Sequence, residues 1–323
     1  MKAAVVGETG LAVKEVARPK PSPSEVLIRV RACGLNRADS MVASGMAHGS
    51  VGGAGTIPGM EYAGEVVETG AEVQGFKAGD RVMCSGHSGW AEFATADWGR
   101  AVSIPDNIGW SQAASLLTGL QTMHNALITA GRLKAGESVL IQGASTGVGL
   151  LGMQIAKAVG AKLVIGSSTN PERRARLTEF GADLAIDSKD PQWVDQVLDA
   201  TDGQGVHLIV DQISGYAANQ NLAATRVLGR IVNVGRLGGF TGDFNFDLHA
   251  ARRIDYIGVT FRTRSIQEIR DIVVAMKADL WGDVKAGKFS LPIDSEFVLD
   301  DAAKAVEHMK ANRHFGKIIL TVP

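Results

Sequence analysis

Val139-Leu-Ile-Gln-Gly-Ala-Ser-Thr-Gly-Val-Gly-Leu-Leu-Gly-Met-Gln-Ile-Ala-Lys-Ala-Val-Gly-Ala-Lys-Leu-Val-Ile-Gly-Ser-Ser168 is the stretch whose reading decides the fold. Apolar residues ending at Gln142 predict a buried strand, and a turn of small residues follows. Apolar positions at Leu151, Ile155 and Val159 predict a helix running to Gly160, and residues 163–165 a second strand. Together they form one βαβ unit. Such a turn presents backbone N–H groups and the positive end of a helix, which suits a dinucleotide pyrophosphate. Gly147 and Gly149 keep that surface bare, although Ala144 and Thr146 stand where the first two glycines of G-x-G-x-x-G would be. The other reading of the same residues is a tight strand-to-helix turn without a ligand. At the end of the second strand, where an NAD enzyme places an acid on the ribose 2′-OH, the chain reads Gly166-Ser167-Ser168 and then Arg173-Arg174. Hydroxyls and guanidinium suit a 2′-phosphate and a carboxylate would repel it, so the expected cofactor is NADP(H).

The chain has 323 residues, enough for two domains, since single cores stop growing at about 250 to 300 residues. Apolar residues make up 45% and charged ones 21%, a globular balance, and the 39 glycines have no periodic spacing that would suggest a fibrous repeat. A net charge of −1 with no run of five like charges offers no basic stripe for nucleic acid. Met1-Lys-Ala-Ala-Val-Val lacks the apolar core of a signal peptide, and no apolar stretch is of membrane-spanning length. A cytoplasmic protein without membrane or nucleic-acid partners is expected. Cys33 and Cys84 are too few for a zinc lobe and read as free thiols.

Short strands over residues 3–5, 25–33, 61–69, 81–84 and 90–94, punctuated by glycine, predict a small barrel or folded sheet. Residues 45–59 contain six glycines and read as a surface loop. A helix over 111–130 carries the chain onward to the βαβ unit. Beyond it come helix 172–180, strand 184–186, helix 192–201, strand 206–211, helix 217–228 and strand 229–234, an alternation that predicts a parallel, doubly wound sheet. Its last strand, 256–261, is apolar and predicts pairing with a second subunit, hence a homodimer. In the tail, helices over 266–277 and 301–310 precede a strand over 316–322 that has no sheet of its own and is expected to rejoin the first domain. The expected division is 1–115, 116–261 and 262–323, with a ligand cleft between the two domains.

Ala32-Cys-Gly-Leu-Asn-Arg-Ala-Asp39, Ile57-Pro-Gly-Met-Glu-Tyr-Ala-Gly-Glu-Val66, Lys77-Ala-Gly-Asp-Arg-Val82, Gly143-Ala-Ser-Thr-Gly-Val-Gly149, Phe180-Gly-Ala-Asp183 and Asn312-Arg-His-Phe-Gly-Lys-Ile-Ile-Leu320 occur in this order. With them the chain resembles the medium-chain dehydrogenase/reductase superfamily, in its zinc-independent quinone oxidoreductase branch, over essentially its whole length. The resemblance implies a doubly wound Rossmann domain inserted in a GroES-like, β-rich catalytic domain. Zinc alcohol dehydrogenases of the superfamily take ligands from a cysteine at the position of Cys33, from a Gly-His-Glu triplet where this chain has Gly59-Met60-Glu61, and from a segment before Thr118. Met60 replaces the imidazole, and residues 111–121 contain neither Cys nor His. A catalytic zinc needs three protein ligands, so no metal is expected. What the resemblance then implies is hydride transfer from NADPH to a small electrophilic acceptor, a quinone or an activated alkene such as a 2-enone or 2-enal, with the protein orienting the partners.

By the same resemblance Asn36 lies near the nicotinamide, Thr118 on the interdomain helix, and Ser145, Thr146, Gly147, Val148 and Gly149 at the pyrophosphate. Ser167, Ser168 and Arg173 lie at the 2′-phosphate, and Val234, Gly235, Arg236, Phe261, Arg262 and Lys317 close around the cofactor. Relatives place tyrosines where this chain has Ser188 and Ala47-His48, and the second change bears on the quinone contact. Asn36 and His48 are the catalytic candidates: Asn36 faces the nicotinamide or caps a turn, and His48 donates to substrate or is a loop histidine without a role. Tyr62 and Trp90 line an aromatic pocket or belong to the core. Two alternatives stay open beside the reductase: an enoyl-thioester reductase acting on a CoA or carrier-protein thioester, and a non-catalytic NADPH-binding sensor or structural protein.

Overall fold

The computed structural model describes every residue except Thr9 and Ser50. It divides into two compact units, one made of Met1–Thr118 with Phe261–Pro323 and the other of Gly119–Thr260.

In the second unit six parallel strands stand in the order Leu184–Ile186, Leu163–Ser167, Ser138–Ile141, Val206–Asp211, Thr225–Asn233, Asp255–Gly258. In the unit's own sequence numbering this is 3-2-1-4-5-6, the doubly wound order, and it reverses between Ser138–Ile141 and Val206–Asp211. All four residues of Ser138–Ile141 are buried, as befits a central strand covered on both faces. Leu140, Ile165, Ile209, Leu222, Ile231 and Trp193 make the core. The helix Gly147–Ala158 buries Leu150, Leu151, Met153 and Ile155 and sets its N-terminus at the strand reversal.

Several expected boundaries move, the clearest where strand pairing overrides local pattern. The helix expected over 217–228 stops at Ala224, since Thr225 already pairs with Val206. The register then jumps to Leu208 opposite Arg230, leaving Leu228 exposed at φ +60°. The helix expected over 172–180 is broken into Pro171–Ala175 and a 3₁₀ turn Leu177–Phe180 closed by Gly181 at φ +97°. Trp110–His124 is α-helical, but its continuation Asn125–Ala130 is a π-helix. The last strand is Asp255–Gly258, so Phe261 lies outside it and its residues are largely exposed. Helix Phe246–Arg252 and strand Ile293–Val298 had no sequence signal strong enough to be read.

In the first unit the sheet order is Ile293–Val298, Lys317–Thr321, Glu25–Gly34, Glu61–Thr69, Arg81–Ser85, Ala101–Ser103, and Phe93–Asp97 also pairs with Glu25–Gly34. The expected strand 90–94 is thus displaced toward Asp97, where the ladder with Glu25 ends. The long strand Glu25–Gly34 organises this unit: Ala32 to Gly34 receive the C-terminal strand antiparallel, with Ile319 opposite Gly34. Helix Ile266–Lys285 is tied to the sheet by Arg270, whose Nε and a terminal nitrogen donate to the two oxygens of buried Asp97 at 2.9 and 2.6 Å. Tyr62, Cys84, Trp90, Ile28, Ile318 and Leu320 fill the core. Among the described residues no helix is long and apolar enough to cross a membrane.

Leu140, wholly buried in the central parallel strand, tests this packing. Leu140→Ala should cost about 2–5 kcal/mol, read as a lower denaturant midpoint for the second unit; a loss under about 1 kcal/mol would contradict the close packing described.

Candidate active site

The first unit builds a buried polar cluster where its first helix begins. Asn36 precedes helix Arg37–Ala43, and its N–H donates to Asp39 Oδ2 at 2.9 Å. Asp39 Oδ1 accepts from the N–H groups of Gly59 and Met60 at 3.1 and 3.0 Å, which pins the helix start to the turn before strand Glu61–Thr69. Glu61 is wholly buried. Its Oε2 accepts from Lys317 Nζ at 2.7 Å and from Asn36 Nδ2 at 3.1 Å, while Oε1 accepts from the Thr118 N–H at 2.8 Å. Lys317 also donates to Asn36 Oδ1 at 3.0 Å. A Cβ at Gly34 would stand 2.1 Å from the Ala114 carbonyl oxygen and 3.1 Å from Lys317 Cε, so only glycine admits this approach.

Both ends of the Asn36 amide are therefore held. Nδ2 gives its second hydrogen to the Gly34 carbonyl at 3.3 Å, so the residue has no donor left and keeps acceptor capacity at Oδ1. Thr118 Oγ1 is buried and has no hydrogen-bond partner among the described residues. An orphaned hydroxyl and an oriented amide oxygen, on two residues both bonded to Glu61, are a donor and an acceptor of the kind a carboxamide takes. His48 shares no hydrogen bond with this cluster; it sits in a short turn closed by its own N–H and carbonyl to Val51, with Gly49 against Arg262.

The second unit builds the turn. Thr146 caps helix Gly147–Ala158: its Oγ1 accepts from the Gly149 N–H at 3.0 Å and donates toward Gln212 Oε1 at 3.0 Å. A Cβ at Gly149 would lie 2.7 Å from Ala144 Cα, so the turn closes only around glycine. Ser167 Oγ accepts from the Gly143 N–H at 3.0 Å and donates to Gln142 Oε1 at 2.6 Å, and Gln142 Nε2 continues to Asn221 Oδ1 at 2.9 Å. The Ser167 hydroxyl is thus engaged beneath the turn, whereas Ser168 Oγ meets Ser145 Oγ at 2.9 Å. Arg173 lies in the first turn of Pro171–Ala175, whose start is capped by Asn170. Neighbouring Arg174 is held by the Ser168 carbonyl and Asp187. After strand Thr225–Asn233 the N–H groups of Val234 and Gly235 donate to the Asp211 carbonyl, and Arg236 folds back on the Val234 carbonyl. Phe261 and Arg262 open the return segment of the first unit.

The family descriptions "Alcohol dehydrogenase GroES-like domain" and "Zinc-binding dehydrogenase" match residues 22–106 and 147–277. Rat quinone oxidoreductase is 30% identical over 309 residues, 95% of this chain and 92% of that protein. The chain belongs to the medium-chain dehydrogenase/reductase superfamily, in its quinone oxidoreductase branch. It spans only 14% of the length of the first curated relatives it matches, among them phthioceranic/hydroxyphthioceranic acid synthase of Mycobacterium tuberculosis, 30% identical over 95% of this chain. Among solved structures, a mycobacterial protein complexed with NADPH is 25% identical with a TM-score of 0.87, covering 99% of both chains. CurK enoyl reductase is also 25% identical at 0.87, covering 100% of this chain and 99% of that one.

Within this oxidoreductase family the residues at the zinc-ligand positions have other partners here. The Cys33 thiol donates to the Gly89 carbonyl at 2.6 Å, and burial pushes its pKa well up, so it is a neutral thiol. Met60 brings no imidazole, and Glu61 is engaged by Lys317. Sequence reading missed Glu61 as the hub and missed Asp39, Gln142, Gln212 and Asn221; for Gln142 and Gln212 the available signal was a polar residue at the end of an otherwise apolar run, and the other three had none.

Burial raises the Asp39 pKa to about 6, against the pull of three backbone N–H groups and Lys317. An aspartate in the unfolded chain ionises near pH 3.9. Between these values the folded protein holds a proton that the unfolded chain has lost, so stability falls as pH rises through the window and is level above it. The slope amounts to roughly 3 kcal/mol. NMR of the Asp39 carboxyl should show a midpoint near 6, and Asp39→Asn should remove that slope; a midpoint near 4 would refute the assignment.

Proposed function

We propose that this chain is an NADPH-dependent reductase of quinones or activated alkenes. The observation that carries the reading is the Asn36–Glu61–Lys317 cluster, which leaves one amide oxygen and the Thr118 hydroxyl for a ligand and supplies no redox group of its own. Bound NADPH supplies the hydride. Asn36 Oδ1 and Thr118 Oγ1 hold the carboxamide and so orient the ring, and Lys317 keeps the Asn36 amide from rotating. The N–H groups of the turn 143–149 and the helix N-terminus behind them hold the pyrophosphate. Ser168 and Arg173 take the 2′-phosphate, with no carboxylate among Gly166, Ser167 and Ser168 to repel it. The relationship to a quinone oxidoreductase and the likeness to a protein solved with NADPH support this reading.

The likeness to an enoyl reductase supports a second reading, in which the acceptor is an enoyl thioester. We also propose that the edge strand Asp255–Gly258 pairs with a second copy. It closes the parallel sheet on one side only, and beside it Phe244 packs edge-on to Phe246 and Tyr256 at 5.1 and 5.6 Å, with Phe246 75% exposed.

NADPH oxidation with a panel of quinones, 2-enals and enoyl-CoA esters separates the readings; tight NADPH binding with no turnover on any acceptor would leave only a sensor. Arg173→Ala should raise KM for NADPH by about tenfold or more and leave that for NADH nearly unchanged, the effect of one charge-assisted contact. Ser168→Asp should add a further penalty against NADPH. Equal effects on both cofactors, or a wild-type preference for NADH, would overturn the NADP(H) assignment. Light scattering at micromolar concentration should report twice the chain mass of 34.0 kDa, and a monomer would refute the pairing.

A further inference from the structure

Arg100 ends the 3₁₀ turn Trp98–Arg100 of the first unit. Its Nε is sealed from solvent, and among the described residues it has neither a hydrogen-bond partner nor an ion pair. The groups that face it are otherwise engaged or neutral. Asp97, three residues earlier, is held by Arg270 at 2.9 and 2.6 Å and caps Gly99. The Tyr62 hydroxyl donates to the Thr95 carbonyl at 2.9 Å, and burial keeps the Cys84 thiol protonated. A partly buried cation without a counter-charge costs stability, and desolvation accordingly pulls the Arg100 pKa down.

Two further donor groups belong to the same region. Strand Ala101–Ser103 pairs with Arg81–Ser85 so that Ala101 opposes Cys84, and one more step of that register sets Arg100 opposite Ser85, two residues before His87. Gly86 between them lies against Tyr62, where a Cβ would stand 2.8 Å from the hydroxyl. His87, although exposed at the surface, is held below the usual histidine range by desolvation and then by Arg100 and His48, and half-buried His48 by desolvation and then by Arg262. Neither imidazole has a side-chain hydrogen bond among the described residues. Arg100 thus lies within electrostatic reach of His87, and His87 of His48, and no carboxylate of the protein acts on either imidazole.

We propose that Arg100, His87 and His48 form a subsite for an anionic group, carboxylate or phosphate, carried by the acceptor. The inference rests on the reductase reading for the word acceptor, and it narrows that reading to electrophiles with an acidic handle. The guanidinium offers the anion a charge-assisted pair of N–H donors, and the imidazoles complete its hydrogen bonds.

Binding to the full-length chain of levulinate, a keto carboxylate without a reducible alkene, and of its methyl ester, followed by the histidine ring resonances and by calorimetry, tests this. Levulinate, inorganic phosphate or both should bind, and levulinate, where it binds, should do so about tenfold or more tighter than its ester. Arg100→Met should abolish anion binding and melt no lower than the wild type, because it removes an uncompensated cation, while Arg100→Lys should retain part of the preference. Neither anion binding, an ester equal to the acid, retained anion binding in Arg100→Met, or marked destabilisation by that change would each overturn the proposal. Anion binding together with no NADPH turnover on any acceptor would keep the anion site and fail the reductase reading alone.

Discussion

A buried ion pair between Glu61 and Lys317, 2.7 Å apart, is the constraint on which the candidate site depends. The two residues are 6% exposed or less and 256 positions apart in the chain, so the pair joins the start of one strand to the C-terminal strand. Neither charge is stable there alone. Removing one would leave the other uncompensated in a dry interior, whereas together they share their remaining hydrogen bonds with Asn36 and the Thr118 backbone. The fold thereby converts an electrostatic necessity into a geometric one: the Asn36 amide has a single orientation, with its oxygen left able to accept.

The dinucleotide-type turn rests on a different device. Its backbone is underpinned by the amides and hydroxyls of Gln142, Ser167, Asn221, Gln212 and Thr146, linked by hydrogen bonds in which Thr146 Oγ1 and Gln212 Nε2 are each shared with the Gly143 carbonyl. Gly143 N–H points to Ser167, which forces the serine proton toward Gln142, and that in turn aims the Gln142 amide at Asn221. The two units thus prepare their sites by different means, a buried ion pair in one and a relay of amides and hydroxyls in the other.

Arg100 stands apart from both. Where Lys317 and Arg270 each have a buried carboxylate, Arg100 has none, and its nearest acid is already taken by Arg270. A half-buried cation left without a counter-charge is locally less stable than it need be, a pattern found where a ligand completes the charge.

The sequence by itself determined the architecture of the second unit. Its alternation of apolar strands and amphipathic helices calls for a parallel sheet covered by helices, and the residues of the turn 143–149 are adjacent in the chain. The position of Met60 and the hydroxyls at Ser167 and Ser168 were equally legible, because each is a residue type at a known offset. Only the tertiary structure decided that Glu61 is the hub, since its partners Asn36, Thr118 and Lys317 come from three distant segments and no local pattern encodes their meeting. It also decided where short elements end. Thr225 leaves its helix because Val206 offers a ladder, and strand Ile293–Val298 exists only because Lys317–Thr321 lies beside it. Local propensity is worth a few tenths of a kcal/mol per residue, roughly, and a ladder of backbone hydrogen bonds with buried side chains outweighs it.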